Sequence, residues 1–404
     1  MNQYKQCLKI STLLATVLSS HAFAESSVTL FGIADNGLFY TSNQTSLGST
    51  KNGKSAVQAQ AGVWTGSQFG LKGKEDLGGG TAAIFSLDSR FNLNTGASQF
   101  TNAMFGQWAY VGLTNPHYGT LTGGRQLTPY YTLLSPYSPT TWLTGFSGAH
   151  PGDIDNLDTT YKTSNSLVYL SPSVHGFTIG GSYAFGGQPG SFNLGSSWSA
   201  GIQYKMGAAG IAAAIERFNN ASPGGGAWSA NSTATAGPTQ QGVSALTNGY
   251  QTAAAQQRIA VTSGYAFTSK LDVSVSYSNV QYIAGTNSAF KSTAIWNTLG
   301  AVVHYGVSPA TSIAAGYSYT RAAKANGITN GAQYQQVSFA QYYALSKSTG
   351  VYAVEAYQRS NGQTLAADGT TVIAATADIG DGFNSAPSSS RSQFVGGAGL
   401  IHRF

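Results

Sequence analysis

The chain has 404 residues, of which only 8% are charged, with 20 Lys and Arg against 14 Asp and Glu. It also has 51 glycines and 12% aromatic residues. An ordinary soluble domain carries about 25% charged residues, so this composition disfavours a helical enzyme, a coiled coil and an acidic disordered chain. No run of about 18 apolar residues follows the N-terminal segment, which excludes helical membrane spans there.

The N-terminal segment 1–24 is typical of a secretory signal peptide. Two lysines precede an apolar stretch at 10–18, and a small-x-small cleavage site stands at 22–24. Cleavage would lower the formal net charge from +6 to +4 and would remove Cys7, the one cysteine of the sequence. The mature chain, 25–404, would then have no disulfide, no thiolate metal site and no cysteine nucleophile.

Apolar and polar side chains alternate with a period of two along the mature chain, which is the pattern of half-buried β-strands. The clearest stretches are 67–74, 83–92, 271–277 and 299–305. Each would present one apolar face and one hydrated face. A soluble β-sandwich would show the same alternation, so further features must decide between the two.

Three features favour a membrane barrel over the sandwich. The segments are roughly 10 to 13 residues long, enough to cross a bilayer at a tilt. Aromatic residues lie near segment ends, where an interfacial girdle needs them, and short turns alternate with long polar connections. The aromatic pairs are 39–40, 130–131, 317–319 and 342–343; the short turns 75–80, 171–173, 268–270 and 307–309; the long connections 42–62, 127–160, 219–254 and 361–390.

The strand count is about 16, and an even count closes an antiparallel sheet. The predicted strands begin near residues 28, 63, 81, 105, 119, 163, 176, 196, 209, 256, 271, 294, 310, 333, 350 and 391. Lipid cannot satisfy unpaired backbone groups, so the sheet must close, and a barrel of this size encloses water. The sequence predicts an all-β, transmembrane antiparallel β-barrel as the single domain of 25–404.

Short segments spread over nearly the whole mature chain carry a resemblance to a known family. They are SVTLFG at 27–32, SQFGLKG at 67–73, EDLGGG at 75–80, AYVGL at 109–113, GRQ at 124–126, HPGD at 150–153, YALSK at 343–347 and IHRF at 401–404. Together they resemble the general trimeric porins of Gram-negative outer membranes, of the beta-proteobacterial type. The resemblance implies a homotrimer of 16-stranded barrels, each with its own channel.

The resemblance also implies that the third long loop, 127–160, folds inward and narrows the pore. The acidic residues of this loop are Asp153, Asp155 and Asp158, and the basic residues expected on the facing wall are Lys72, Lys74, Arg90, Arg125 and Lys162. Asp88 shares the hydrated face with Arg90 and would temper its charge. A basic wall opposite an acidic loop would set a transverse field across the constriction and sort ions by sign.

The sequence departs from the family pattern at positions that bear on ion selectivity. Arginine is common in these porins at the positions of Gln68 and Gln107, and a basic residue is frequent at that of Val168. With Gln68 and Gln107 as neutral lumen residues, Lys74 and Arg90 compensate only in part. We therefore expect a channel that prefers anions weakly or is nearly non-selective.

The C-terminal residue carries a separate expectation. Phe404 shares one face of the last strand with His402 and Leu400. This pattern resembles the signal by which the barrel assembly machinery recognises outer-membrane strands. The alternative is a last strand that ends in Phe without any such role.

No motif points to an enzyme, a metal or a cofactor. Residues 48–55 satisfy the phosphate-loop formula, but they lack the buried strand before it and the helix after it. The histidines form no pair at metal-ligand spacing, and the aspartates of 127–160 lack the Gly and Glu of a calcium loop. No Gly-x-Ser-x-Gly occurs, although a dispersed triad stays open, and a charge of +4 without clusters argues against nucleic acid.

The sequence thus predicts a passive channel for small hydrophilic solutes and ions, exported to the outer membrane. Its surroundings would be outer-membrane lipid and lipopolysaccharide. One alternative is a barrel-anchored adhesin or receptor that binds through 219–254 or 361–390; a barrel-based hydrolase is another. A third is a channel selective for sugars or small anions, with stacking surface from Tyr130, Tyr131, Tyr137 and Trp142.

Overall fold

The computed structural model describes residues 27–100, 103–158, 161–228, 243–382, 384 and 386–404. The expected signal peptide, 1–24, lies outside the described residues. So do residues 159–160, at the end of the predicted inward loop.

The described chain forms one closed antiparallel sheet of 16 strands, in which each strand pairs with its neighbours in sequence. The strands are β1 Ser27–Gln44; β2, in two segments, Lys54–Ala61 and Gln68–Gly78; β3 Thr81–Arg90; β4 Trp108–Asn115; β5 Gly119–Gln126; β6 Thr163–Leu170; β7 Phe177–Ala184; β8 Ser197–Met206; β9 Ala209–Asn219; β10 Ala255–Ala266; β11 Leu271–Ile283; β12 Ala294–Gly306; β13 Thr311–Ala322; β14 Gln333–Ala344; β15 Thr349–Asn361; and β16 Ser392–Arg403.

The first and last strands close the barrel. β1 pairs with β16 over a continuous register, from Ile33 opposite Arg403 to Thr41 opposite Val395. The pairing leaves no free sheet edge, which is the only way a β-structure can satisfy its backbone groups in a bilayer.

The two faces of the barrel differ as the alternation predicts. In β11, Val275 and Tyr277 are 51% and 44% exposed, whereas Ser276 and Ser278 are buried. Leu299 of β12 is likewise 59% exposed. The exposed apolar side chains cover the outside, where lipid replaces water, and the polar parity points to the interior.

Exposed aromatic residues cluster at the strand ends beside the short turns. This set comprises Tyr118, Tyr169, Phe177, Tyr265, Phe267, Tyr305, Tyr343 and Phe404. Among the aromatic pairs predicted from the sequence, Tyr40, Tyr317 and Tyr343 are exposed. The prediction is wrong for Phe39 and Tyr130, which are buried, since Phe39 faces inward and Tyr130 belongs to a helix of a connection.

The second strand differs from its prediction. We expected a connection over 42–62 and a strand from about residue 63, but Lys54–Ala61 already pairs with β1, and the chain leaves the sheet between 62 and 67. The cause is Asp35 on β1, whose Oδ2 accepts the backbone N–H groups of Trp64 and Thr65 at 2.7 and 2.8 Å. These two hydrogen bonds replace the strand-to-strand hydrogen bonds that are lost where β2 is interrupted.

The connections hold little regular structure. Among the described residues, no helix is long and apolar enough to span a membrane. The helices are α1 Pro129–Leu134, α2 Thr140–Leu143 and α3 Gly145–Gly148, with 3₁₀ turns Ser135–Tyr137, Pro151–Asp153 and Asn248–Tyr250; the last long connection adds the strand pairs Gln363–Leu365 with Val372–Ala374 and Asp378–Ile379 with Ala386–Pro387.

The role of Asp35 can be tested by Asp35→Ala. The change would orphan the N–H groups of Trp64 and Thr65 and the hydroxyl of Tyr352, which donates to Asp35 at 2.5 Å. Unsatisfied buried donors cost roughly 1–3 kcal/mol each, so we expect a clearly lower midpoint of heat denaturation on SDS–PAGE. Asp76→Asn, at an exposed position near the end of β2, is the control. Equal midpoints for both variants would contradict the assignment.

Candidate functional site

The third long connection, residues 127–162 between β5 and β6, is described except for 159–160, and it is built of short pieces. Proline occupies the first turn of α1 and of the 3₁₀ turn that begins at Pro151, where its missing N–H costs nothing. Thr144, at φ 71°, and Gly152, at φ 64°, end one piece and start the next. The segment therefore bends often enough to follow a curved wall.

The first half of the third connection bonds to inward-facing side chains of the barrel. The N–H of Tyr130 donates to Ser199 Oγ at 2.9 Å. Gln203 Nε2 donates to the carbonyl of Leu133 at 2.7 Å, and Thr262 Oγ1 donates to that of Leu134 at 2.9 Å. Side chains of β8 and β10 thus satisfy the free backbone groups of α1.

Glycines on the inner wall make room for this contact. A Cβ at Gly210 or Gly264 would collide with the ring of Tyr137, and one at Gly316 would collide with Leu143. Glycine at these three strand positions therefore lets the third connection lie close to the barrel wall.

The second half of the connection carries a buried acid and base. His150 Nδ1 lies 2.6 Å from Asp155 Oδ2, which also accepts the hydroxyl of Ser278 on β11 at 2.6 Å. Just before His150, the carbonyls of Ser147 and Ala149 accept hydrogen bonds from Gln336 Nε2 on β14 at 2.9 and 3.0 Å. Hydrogen bonds therefore hold the second half of the connection to the barrel wall, as they hold the first half.

A buried ion pair attaches the middle of the connection. Arg258 on β10 donates from Nε to the carbonyl of Ile154 at 2.9 Å, and its guanidinium lies 4.3 Å from the ring centroid of Tyr161. Arg258 Nη1 is 3.9 Å from Glu216 Oε1 on β9, and Asn156 Nδ2 donates to the same Glu216 oxygen at 3.0 Å. Glu216 and Arg258 are both fully buried.

Sequence reasoning did not select Glu216 and Arg258. One sequence feature could have identified Glu216. It is a charged residue on the inward-facing side of β9, where its neighbours Ala212, Ala214 and Phe218 are small or apolar. Such a charge must find a partner inside the barrel, because an unpaired buried charge is too costly.

The three predicted acidic residues do not form one exposed cluster. Asp153 is buried, and its Oδ1 accepts the N–H of Asp158 at 3.0 Å. Asp155 is also buried; burial raises its pKa, but the charge of His150 and hydrogen bonds from His150 and Ser278 outweigh burial and hold that pKa below its ordinary value. Both carboxylates therefore shape the third connection from within.

Asp158 lies in a mixed cluster of charges. Burial, and next the charge of Asp381, raise its pKa well above the ordinary value, against the opposing charges of Arg90 and Lys162. Lys162 is itself buried, and its pKa is lowered well below its usual range by burial and by the nearby Arg90 and Arg125. The structure thus brings together three predicted residues, Asp158, Arg90 and Lys162, and adds Asp381 from the last long connection.

Of the other predicted basic residues, Lys72 and Lys74 lie on β2, whereas Arg125 borders the cluster, because Arg125 and Lys162 both lie over the ring of Phe100. Lys72 and Lys74 are exposed on the parity of β2 opposite to that of Leu71, and Lys72 Nζ lies 5.4 Å from the ring centroid of Phe31. Arg125 pairs with Ala109 in register and donates from Nε to the carbonyl of Gly106 at 2.7 Å. Arg125 therefore holds the chain that leads into β4.

The predicted neutral and acidic lumen residues are largely buried. Gln68 and Asp88 share the inward parity of β2 and β3, and Gln68 lies directly opposite Arg90 in register. Both carboxylate oxygens of Asp88 lack a hydrogen-bond partner among the described residues. Gln107 is buried just before β4, and its backbone N–H donates to the carbonyl of Asp88 at 3.1 Å.

Phe404 is 60% exposed and extends the register of the last strand. Its carbonyl accepts the N–H of Gly32 at 2.9 Å, and its own N–H donates to the carbonyl of Gly32 at 3.1 Å. The C-terminal residue is thus tied to β1 by its backbone, while its ring lies on the apolar outer face.

The last long connection reaches the third one through two glutamines. Gln358 Nε2 donates to Gln336 Oε1 at 2.8 Å and to the carbonyl of Asp378 at 3.1 Å. Gln336 in turn bonds to α3 of the third connection. One bonded network therefore joins both connections to the inner wall.

A family model described as Gram-negative porin matches residues 11–363. The chain belongs to this family. Its fold agrees: an anion-selective porin from Comamonas acidovorans superposes with a TM-score of 0.67 at 20% identity, over 94% of this chain and 100% of that chain. This likeness concerns the fold alone. Membership of a Gram-negative porin family also indicates an outer-membrane location.

Two curated relatives of this porin are outer membrane porins. One, from Bordetella pertussis, is 35% identical over 188 residues, which cover 43% of this chain and 48% of the relative. The other, outer membrane porin protein 32 of Delftia acidovorans, is 34% identical over 188 residues, or 44% of this chain and 50% of the relative. The chain thus matches about half the length of these relatives, which are porins and not enzymes.

The attachment of the third connection can be tested by Arg258→Gln. The change would leave Glu216 buried without its cation, and breaking such a pair costs about 3–5 kcal/mol. Because Arg258 bonds to the third connection, we expect faster cleavage of this segment by added protease while the barrel stays folded.

Arg217→Gln is the matched control, since this neighbouring arginine bonds only to side chains near the strand end. Equal cleavage rates for both variants would show that Arg258 does not hold the connection.

The raised pKa of Asp158 predicts a pH dependence. Protonation removes a negative charge, so acidification should shift the reversal potential toward anions, beginning well above the ordinary Asp pKa of about 4. Asp381→Asn would lower the pKa of Asp158 and move this shift to lower pH. Asp158→Asn should reduce it to the part that protonation of Lys162 supplies. An unchanged titration in both variants would contradict the assignment.

Proposed function

We propose that this porin is a passive channel for small hydrophilic solutes and ions. The observation that carries the proposal is the division of the inner wall. The third connection contacts strands β8 to β14, whereas Lys72 and Lys74 stay exposed on the inward face of β2. A closed barrel with one covered and one hydrated side leaves an aqueous path along the hydrated side.

We infer that the third connection folds into the barrel and narrows this path. Its hydrogen-bond partners Ser199, Thr262 and Ser278 all lie on the strand parity opposite to the exposed apolar residues. Because the third connection would cover nearly half the strands, its edge at Asp158 would lie close to Arg90 on β3. This edge and the facing wall would then form the narrowest point.

The charge balance at this point supports a weak preference for anions. Asp155 is engaged by His150, and Asp153 by a backbone N–H, so neither offers a free negative charge to a passing ion. Asp158 is offset by Arg90 and Lys162. Lys72 and Lys74 lie on the path without a nearby ion pair among the described residues, which leaves the wall mildly positive.

The Comamonas acidovorans porin is described as anion-selective. This description agrees in sign with the charge balance proposed for this chain. At 20% identity it supports the direction only, and the strength of the preference is set by this chain's own residues.

The partners of the channel are part of the proposal. We propose that it works as a homotrimer in outer-membrane lipid and lipopolysaccharide. Leu38, Val57 and Leu400 on the outer face of β1, β2 and β16 would meet either lipid or another copy. We propose that the barrel assembly machinery recognises the exposed Phe404.

Single-channel recording in planar bilayers tests the proposal. We expect stepwise conductance and a reversal potential on the anion side in a KCl gradient. Changing Lys72 and Lys74 together to Gln should move that potential toward cations by several millivolts, because it removes the exposed positive charges of the wall.

Lys347→Gln is the control, since Lys347 is an exposed lysine of a short turn outside the proposed path. A folded protein without conductance steps would overturn the channel. An equal shift for Lys347→Gln would overturn the assignment of the wall.

A further inference from the structure

The inner wall carries an aromatic cavity that none of the preceding roles uses. It has a volume of about 270 Å³ and lies beside α2, next to the strand ends that border the short turns. Trp64, Trp142 and Tyr342 supply its rings, and His304 and Arg403 supply its polar groups. Because this end is opposite the long connections, a solute would reach it after it passes the third connection.

Trp64 reaches the cavity because of the break in β2. The carboxylate of Asp35 holds the backbone of Trp64 and Thr65 out of the sheet. The indole of Trp64 then packs on Tyr342 and Tyr352, with ring centroids 4.9 and 5.3 Å apart. Both tyrosines bury one side of Trp64, and the rest of the ring borders the cavity.

Trp142 is fixed from the other side of the cavity. Its ring stacks on His304 with centroids 3.6 Å apart and an interplanar angle of 6°. His304 Nδ1 lies 3.1 Å from Asp272 Oδ2, which orients the imidazole. One face of Trp142 is thus occupied, so a planar ligand would meet its other face or its edge.

Arg403 supplies a positive charge, which also interacts with the buried carboxylate of Asp35. Its Nη1 is 3.5 Å from the hydroxyl of Tyr342, a long bond, and no carboxylate of the described residues forms an ion pair with it. Asp35 already accepts hydrogen bonds from Trp64, Thr65 and Tyr352, and Asp272 is engaged by His304. A guanidinium of this kind binds a carboxylate through parallel hydrogen bonds.

The remaining lining decides the class of ligand. Ala314 and Ala340 form an apolar floor, and the neutral polar groups are the hydroxyls of Ser312, Thr141 and Tyr342. Thr141 already donates to the carbonyl of Ser135 at 2.6 Å. A sugar needs several hydrogen-bond partners, whereas three polar groups of this lining, those of Thr141, His304 and Tyr342, already have partners within the protein. Fixed rings, an apolar floor and one cation suit a flat apolar ring that bears one acid group.

We propose that this cavity is a binding subsite for small aromatic carboxylates on their way through the channel. The ring of the solute packs between Trp64 and Trp142, and its carboxylate pairs with Arg403. The inference rests on the proposed channel function and names a class of solute that the channel would favour.

Current block in single-channel recordings tests the subsite, with benzoate as the probe. Benzoate should interrupt the KCl current of the wild-type channel at concentrations where acetate, benzamide and glucose do not. Trp142→Ala and Trp64→Ala should each raise the half-blocking concentration about tenfold, the size of one aromatic contact. Arg403→Gln should raise it for benzoate and leave benzamide unchanged.

Trp108→Ala is the matched control, because Trp108 borders a different cavity of the inner wall, of about 250 Å³. Equal block by acetate would reduce the site to a charge effect and overturn the proposal, as would block by glucose or an equal loss in Trp108→Ala. KCl conductance without any benzoate block would also overturn the subsite while the channel function stands. Absence of conductance would overturn the channel itself.

Discussion

The structure depends on backbone hydrogen bonds that have no alternative partner in lipid. The pairing of β1 with β16, from Ile33 opposite Arg403 to Thr41 opposite Val395, removes the two edges that an open sheet would leave. Once the sheet is closed, every strand must present one face to lipid and one to the interior. The low content of charged residues follows from this constraint, because the outer face contacts lipid and much of the inner face is packed with small residues.

Inward-facing side chains of the barrel form hydrogen bonds with the third connection and also pack in buried apolar clusters, one of them around Tyr250, Tyr282 and Trp296. The third connection can lie against the wall because the barrel meets its free backbone groups with Ser199, Gln203, Thr262 and Gln336. Glycines remove the side chains that would keep it away. The ion pair of Glu216 and Arg258 fixes the position of the third connection, because a buried charge must keep its partner. The proposed channel depends on this arrangement, with one side of the inner wall covered by the third connection and the other side hydrated.

The sequence was sufficient to predict the barrel, because its alternation is regular and its closure is compulsory. Most strand starts are within a few residues of their predictions, as β11 at Leu271 and β14 at Gln333 illustrate. The break in β2 was not predictable, since it depends on Asp35 binding the backbone of a segment about 30 positions later. Local alternation carries no information about such a long-range bond.

The site was predictable in part, and for the same reason. Parity placed Lys72, Lys74 and Arg90 on the inward face, where the structure has them. Parity does not tell whether a charge is free, and Asp155 is bound to His150 while Arg125 bonds to the carbonyl of Gly106. Pairing partners that are distant in sequence decide which charges a passing ion meets.

The central claim is that a water-filled path runs along the inward face of β2. Modification of a single cysteine at Lys74→Cys or at Leu71→Cys, by a charged methanethiosulfonate reagent during single-channel recording, measures this most directly. The two positions lie on opposite faces of the same strand. The account predicts a stepwise change of conductance at position 74 and none at position 71. A change at position 71 alone, or an equal change at both, would contradict it.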